Sequence, residues 1–211
     1  HRKYAEQAGK RGIAMSSVVI FSPSRYSLYT ISVAELLRRQ NVEVKAVIMR
    51  KLVNPDRFLP EFRRDGLRLL KKIWKKLVLR ERAYSEQPFE TMASFMLAEG
   101  IHFKSVDALT NAHGIPIQYC RDLNDPEVVQ TLQRLKPDLV VFTGGGLIRK
   151  EVLANAGAGV VNCHMGMLPR YRGMDVVEWP ILEGDQAHTG MTVHFMDEGV
   201  DTGGILPTRK V

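Results

Sequence analysis

The sequence predicts an α/β protein: a doubly wound, mostly parallel, Rossmann-like sheet with helices on both faces and a helical insertion at about residues 51–104. Three observations carry this. Short β-branched and aliphatic runs alternate with segments of helical spacing. The opening reads strand–helix–strand, which requires a parallel pair joined by a crossover. The 211 residues contain no internal repeat and no low-complexity linker, so one domain over 15–211 is expected.

The elements follow in order. His1–Ala14 is polar and basic and reads as a tail ahead of Met15, a natural start. Ser17–Ser22 is a short apolar run of buried-strand type. Tyr26–Arg39 has helical spacing, with Ile31, Ala34 and Leu37 on one side, and Val42–Met49 reads as the second strand. Pro55 and Pro60 precede a helix over about Phe62–Leu79, whose apolar stripe is Leu67, Leu70, Ile73, Trp74 and Leu77. Beside it runs a cationic stripe of Arg68, Lys71, Lys72, Lys75 and Lys76, and a second helix is expected over Pro88–Ala98. Ile115–Cys120 reads as a strand, Pro126–Leu135 as a helix, and Leu139–Thr143 and Gly159–Cys163 as further strands. Met191–Met196 alternates like a strand, and Gly203–Val211 completes the sheet.

Composition narrows the function. With 45% apolar and 25% charged residues the chain is of globular type, and no run approaches the ~18 apolar residues of a membrane span. Two cysteines, Cys120 and Cys163, are too few for a disulfide framework and lack metal-ligand spacing. A cytoplasmic protein without a metal and without a membrane partner is expected. The net charge of +7 is local: residues 50–82 hold twelve basic against four acidic side chains, and elsewhere the two signs nearly cancel. Basicity of one helical face is usually solvation, which weighs against a nucleic-acid-binding fold as a whole. Oligomeric state is not legible, because an apolar stripe facing a core and one facing a partner look alike.

The chemistry concentrates near the C-terminus. Val160–Gly173 runs from a strand into a loop, and α/β sites form at such strand ends. Alternate residues of a strand share a face, so Asn162 and His164 project together. An amide donor beside a group titrating near neutrality suits a carbonyl oxygen that gains negative charge. The acidic, glycine-bearing stretch Asp197–Leu206 supplies carboxylates able to orient a histidine and relay protons. His102, His113, His188 and His194 read as ordinary surface or strand histidines, Trp74 as core and Cys163 as a small buried hydrophobe.

Asn162-Cys-His164, Leu168-Pro-Arg-Tyr-Arg-Gly173, Trp179 with Gly184-Asp185, Thr189-Gly190, and Asp197 through Asp201-Thr-Gly-Gly-Ile-Leu206 resemble the folate-dependent formyltransferase family. The likeness is specific over about 137–208 and weaker over Ser17–Met49. It implies transfer of a formyl group from 10-formyltetrahydrofolate to a primary amine, with Asn162, His164 and Asp201 as the catalytic triad and no metal. By the same resemblance Gly146, Leu147, Ile148 and Arg149, with Met196, Asp197 and Glu198 opposite, would bind the folate. Ser24, Arg25, Tyr26, Arg172 and Gly173 would bind the acceptor.

Met165-Gly-Met167 departs from the usual Ser-Leu-type step, and Ser22–Ser27 lacks the Gly-Ser-Asn turn of glycinamide ribonucleotide enzymes. The first departure bears on loop packing and the second weighs against a purine-pathway substrate. The favoured acceptor is an amino sugar on a nucleotide carrier, or a comparable small amine. Methionyl-tRNA comes next, then hydrolysis of the same folate, then a non-catalytic RNA- or membrane-binding module. Many members continue into a further domain that helps recognise tRNA or a nucleotide sugar; here that extension is expected to be missing or truncated.

Overall fold

The computed structural model describes residues 17–51 and 91–210. Seven strands form one sheet: β1 Ser17–Ser22, β2 Glu43–Arg50, β3 Ile117–Cys120, β4 Leu139–Phe142, β5 Val160–His164, β6 Gly190–Phe195 and β7 Ile205–Lys210. Their order is β3-β2-β1-β4-β5-β6-β7. Every pair from β3 to β5 is parallel, whereas β6 and β7 run antiparallel at the edge. The chain winds outward from β1 to β3 and then returns to β1's other side as β4. That reversal opens a crevice at the strand ends.

Helices α1 Leu28–Arg39, α2 Met92–Ala98, α3 Val106–His113, α4 Pro126–Leu135, α5 Lys150–Leu153 and α6 Glu178–Leu182 join the strands. The helix expected from Tyr26 starts at Leu28 because the Ser27 side chain accepts the Thr30 N–H and caps it. α3 has no counterpart in the expectations. It is only eight residues long, and its ends are set by the Ser105 cap and by left-handed Gly114. The last strand begins at Ile205 and not Gly203. The tail His1–Ala14, the Phe62–Leu79 helix with Trp74 and its cationic stripe, and the first part of Pro88–Ala98 lie outside the described residues.

Strand alternation builds a core on each side of the sheet. Val19 and Phe21 of β1 face α4 and α5, packing with Val128, Leu132, Val152 and Ile148. Val18 and Ile20 face α1, α2 and α3, packing with Ile31, Ala34, Met96 and Leu109. All four β1 residues are fully buried, each contributing about 1.5–3 kcal/mol of transfer free energy. Gly157 makes the entry to β5 possible: its φ is +65°, and a Cβ there would sit 2.2 Å from the Pro137 carbonyl oxygen.

Two buried polar clusters fix α1 against this core. Ser22 Oγ, Thr30 Oγ1 and Thr143 Oγ1 form a chain with spacings of 2.9 and 2.7 Å, and Thr143 donates to the Phe21 carbonyl. It ties β1, α1 and β4 together where the crevice opens. Further along α1, buried Glu35 accepts from Arg38 and Arg39. His113 Nε2 of α3 lies 3.1 Å from Glu35 as a charge contact, without hydrogen-bond alignment. Burial pushes the Glu35 carboxyl up, but the arginine hydrogen bonds and the Arg38 and His113 charges outweigh it and hold it below its ordinary value.

A carboxyl whose pKa is depressed on folding adds stability that is fully present above its unfolded value, 4.5, and is lost as pH falls through the folded value. Glu35→Gln should lower stability by about 1–3 kcal/mol at pH 7. The wild-type advantage should shrink steadily below pH 4.5. Urea unfolding of both proteins at pH 7 and pH 3.5 checks this; a difference that does not change with pH would refute it.

Candidate active site

The pairing of β5 with β6 assembles the site. Asn162 lies opposite His194, and His164 lies opposite Thr192. Directly paired residues share a sheet face, so these four side chains project together. Cys163 points the other way, where it is half-buried beside Tyr29. Burial first, then Cys163, pushes the Tyr29 hydroxyl up to about 12, and burial raises the Cys163 thiol. Both groups stay protonated and apart from the site.

The loop between β6 and β7 folds back over that face. Asp201 is its key residue, with a left-handed backbone (φ +51°) that aspartate tolerates better than most side chains. Its Oδ2 lies 3.5 Å from His164 Nδ1 and its Oδ1 lies 3.4 Å from His194 Nε2. Oδ2 also accepts the Gly173 N–H at 2.9 Å. One carboxylate therefore bridges two imidazoles. His194, expected to be an ordinary strand histidine, is fully buried and belongs to this cluster. Nothing local marked it, because its partner Asn162 is 32 residues away.

Backbone carbonyls fix the protons on both rings. His164 Nε2 is 2.8 Å from the Tyr171 carbonyl, and His194 Nδ1 is 2.9 Å from the Phe195 carbonyl. A carbonyl only accepts, so each of those nitrogens carries a hydrogen. That leaves His164 Nδ1 and His194 Nε2 facing Asp201. Asn162 Nδ2 sits 3.5 Å from His194 Nε2, a long contact that gives way readily. The amide of Asn162 is thus the least committed donor at the cleft, while His164 donates through Nε2 to Tyr171 and faces Asp201 with Nδ1 at 3.5 Å.

A cleft of about 300 Å³ opens over this group. Asn162, His164, His194 and Asp201 form its floor, Gly144–Leu147 one wall, and Gly173, Met174, Met196, Gly199 and Val200 the other. Asn124 holds the first wall by accepting the Arg149 N–H at 2.7 Å and donating to the Leu147 carbonyl at 3.0 Å. Leu147, Met196 and Val200 give this cleft apolar surface beside its glycine-rich wall.

Of the residues expected to bind folate, Gly146, Leu147 and Met196 line the cleft. Ile148 does not, because its side chain is buried in the core. Arg149 and Glu198 are exposed outside the lining residues. Asp197 closes its own loop, accepting from Gly199 N and Thr202 Oγ1 at 3.0 and 2.6 Å. Of the expected acceptor-binding residues, Gly173 lines the cleft, and Arg172 is exposed beside it. Ser24, Arg25 and Tyr26 lie outside it: Arg25 is tied to Asp107 at 3.1 Å and Tyr26 is exposed. Among the described residues no group of three or more His, Cys, Asp or Glu is arranged to hold a metal ion.

Residues 82–211 match the family model described as formyl transferase, which is more than half of the chain. The chain belongs to the formyl transferase family. It is 44% identical over 101 residues to a methionyl-tRNA formyltransferase of Chloroflexus aggregans, covering 47% of this chain and 32% of that one. It is 39% identical over 102 residues to another from Geotalea daltonii, covering 48% and 32%. The chain thus matches about a third of the length of these curated relatives. Its fold is similar to phosphoribosylglycinamide formyltransferase of Bacillus halodurans (TM-score 0.56, 21% identity, 92% of this chain and 79% of that one). It is also similar to a formyltetrahydrofolate deformylase of Pseudomonas syringae (TM-score 0.55, 17% identity, 100% and 58%).

The start of the loop that carries Tyr171 is pinned by one hydroxyl. Thr192 Oγ1, fully buried, donates to the Gly166 carbonyl at 2.8 Å and accepts the Leu168 N–H at 3.1 Å. Thr192→Val keeps the shape but strands both backbone groups, and should cost about 2–4 kcal/mol. Thermal unfolding measures it; a loss under about 0.5 kcal/mol would show that the loop is held elsewhere.

Proposed function

We propose that this chain carries the catalytic site of a formyltransferase that moves the formyl group of 10-formyltetrahydrofolate onto a primary amine. The observation that supports it most is the Asn162–His164–His194–Asp201 cluster at the floor of a slot walled by glycine-rich and apolar loops. When bound, the folate supplies the formyl carbon, whose oxygen gains negative charge as the amine attacks. Asn162 Nδ2 is the donor free to meet that charge, since its contact with His194 is long. Asp201 would take the amine proton, directly or through His164 Nδ1, the imidazole nitrogen that faces it. It would return a proton to the donor nitrogen as that nitrogen's bond to the formyl carbon breaks and tetrahydrofolate leaves. A direct oxyanion bond from His164 would require its Tyr171 or Asp201 contact to open. Leu147, Met196 and Val200 would supply apolar contacts to the folate ring.

For the acceptor, two observations move the preference from an amino sugar toward the α-amine of methionyl-tRNA. Ser24, Arg25 and Tyr26, expected to bind the acceptor, are outside the cleft, and the relatives aligned over about half of the chain carry the methionyl-tRNA name.

The test is release of tetrahydrofolate from 10-formyltetrahydrofolate with methionyl-tRNA, with nucleotide-linked amino sugars, and with no amine. Transfer to methionyl-tRNA is expected. Transfer to the sugar alone would reverse the acceptor assignment, and formate release without an amine would make the protein a hydrolase. His164→Ala should lower kcat about 100- to 1,000-fold with folate affinity within a few-fold. Near-normal turnover in that variant would remove His164 from the mechanism.

A further inference from the structure

His164 owes its orientation to a carbonyl, and that carbonyl belongs to a residue whose side chain is held on the far side of the loop. Tyr171 is buried, and its hydroxyl lies 2.8 Å from Glu183 Oε2 and 2.9 Å from Asp185 Oδ2. Both carboxylates sit in the turn after α6, outside the cleft. Burial first, then the two carboxylates, pushes the Tyr171 hydroxyl up to about 12, so it remains a donor throughout the working range. Asp185 is in turn held by His188 Nδ1 at 2.6 Å and Arg170 Nε at 2.9 Å. The His188 hydrogen bond, against burial and with help from Tyr171 and Arg170, keeps the Asp185 carboxyl below its ordinary value. The inner end is equally close: a Cβ at Gly166 would lie 2.9 Å from His164 Nε2 and 3.0 Å from the Tyr171 carbonyl oxygen.

We propose that Glu183 and Asp185, acting through Tyr171, are positioning residues for His164: they clamp the phenol, and the Tyr171 carbonyl thereby locks the imidazole proton on Nε2. The physical reason is geometric. A backbone carbonyl can select a tautomer only if it stays in line with the ring, and a loop carbonyl moves unless its side chain is anchored. The Leu168–Gly173 loop is tied by Thr192 at its start, by Asp201 on Gly173 at its end, and between them by the Tyr171 hydroxyl and by Arg170 on Asp185. Removing the tyrosine tie loosens the carbonyl that, among the described residues, touches His164 Nε2. Nε2 and Nδ1 then compete for the proton, and the nitrogen facing Asp201 is no longer fixed.

The kinetic consequence rests on the proposed formyl transfer; the tautomer claim does not. In the full chain, Tyr171→Phe removes one oxygen and Asp185→Asn removes the charge that draws it. Either variant should lower kcat about 10- to 100-fold, with the KM for 10-formyltetrahydrofolate within about two-fold, because neither side chain lines the folate slot. Nitrogen-15 spectra of histidine-labelled protein, assigned with His164→Gln, should show His164 protonated on Nε2 in the wild type and as a mixture of tautomers in both variants. A wild-type ring protonated on Nδ1, or an unchanged tautomer in the variants, overturns the proposal whatever the activity. If no acceptor is formylated at all, the spectra still decide it. Should Tyr171→Phe fail to fold, Asp185→Asn and Glu183→Gln carry the same test, and an unaltered Nε2 signal in both overturns it.

Discussion

A one-residue slip between Val160–His164 and Gly190–Phe195 would turn one strand's set of side chains to the opposite face of the sheet. With the register as it stands, Asn162 meets His194 and His164 meets Thr192. Everything else in the site follows from those two pairs. Thr192 holds the loop that reaches over His164, and His194 gives Asp201 a second imidazole to bridge. The edge strands β6 and β7 are antiparallel, and the loop between them brings Asp201 over the face that carries the histidines.

The electrostatics are those of one carboxylate shared between two rings whose outer nitrogens are spoken for by backbone carbonyls. Such an arrangement leaves few protons free to wander. Proton movement is confined to the Asp201 side, and the donor left for the cleft is the amide of Asn162. Holding Asp201 in a left-handed conformation is part of this arrangement, because strained backbone persists where the surroundings fix it from several directions. Here those surroundings are two imidazoles and the Gly173 N–H.

The walls of the cleft work through backbone more than side chain. Gly144–Leu147 is shaped by Asn124, which grips the Leu147 carbonyl and the Arg149 N–H. The Ser22–Thr30–Thr143 hydroxyls fix the strand ends beneath it. Both supports are neutral hydrogen bonds.

The sequence alone determined the strand and helix alternation, because periods of 2 and 3.6 are local properties; Ser17–Ser22 and Pro126–Leu135 are found where their patterns put them. It also determined that Asn162 and His164 share a face, since that follows from strand geometry without any partner. Short polar α3 escaped, because its stability comes from the caps at Ser105 and Gly114 and from burying Val106 and Leu109. Only the tertiary structure decided the rest. It turned Ile148 into the core, paired Arg25 with an aspartate 82 residues away, and brought His194 opposite Asn162. A side chain's direction along a strand is set by its neighbours in the chain. Which carboxylate meets which imidazole is set by packing between distant segments, and that contact becomes definite only when the sheet closes.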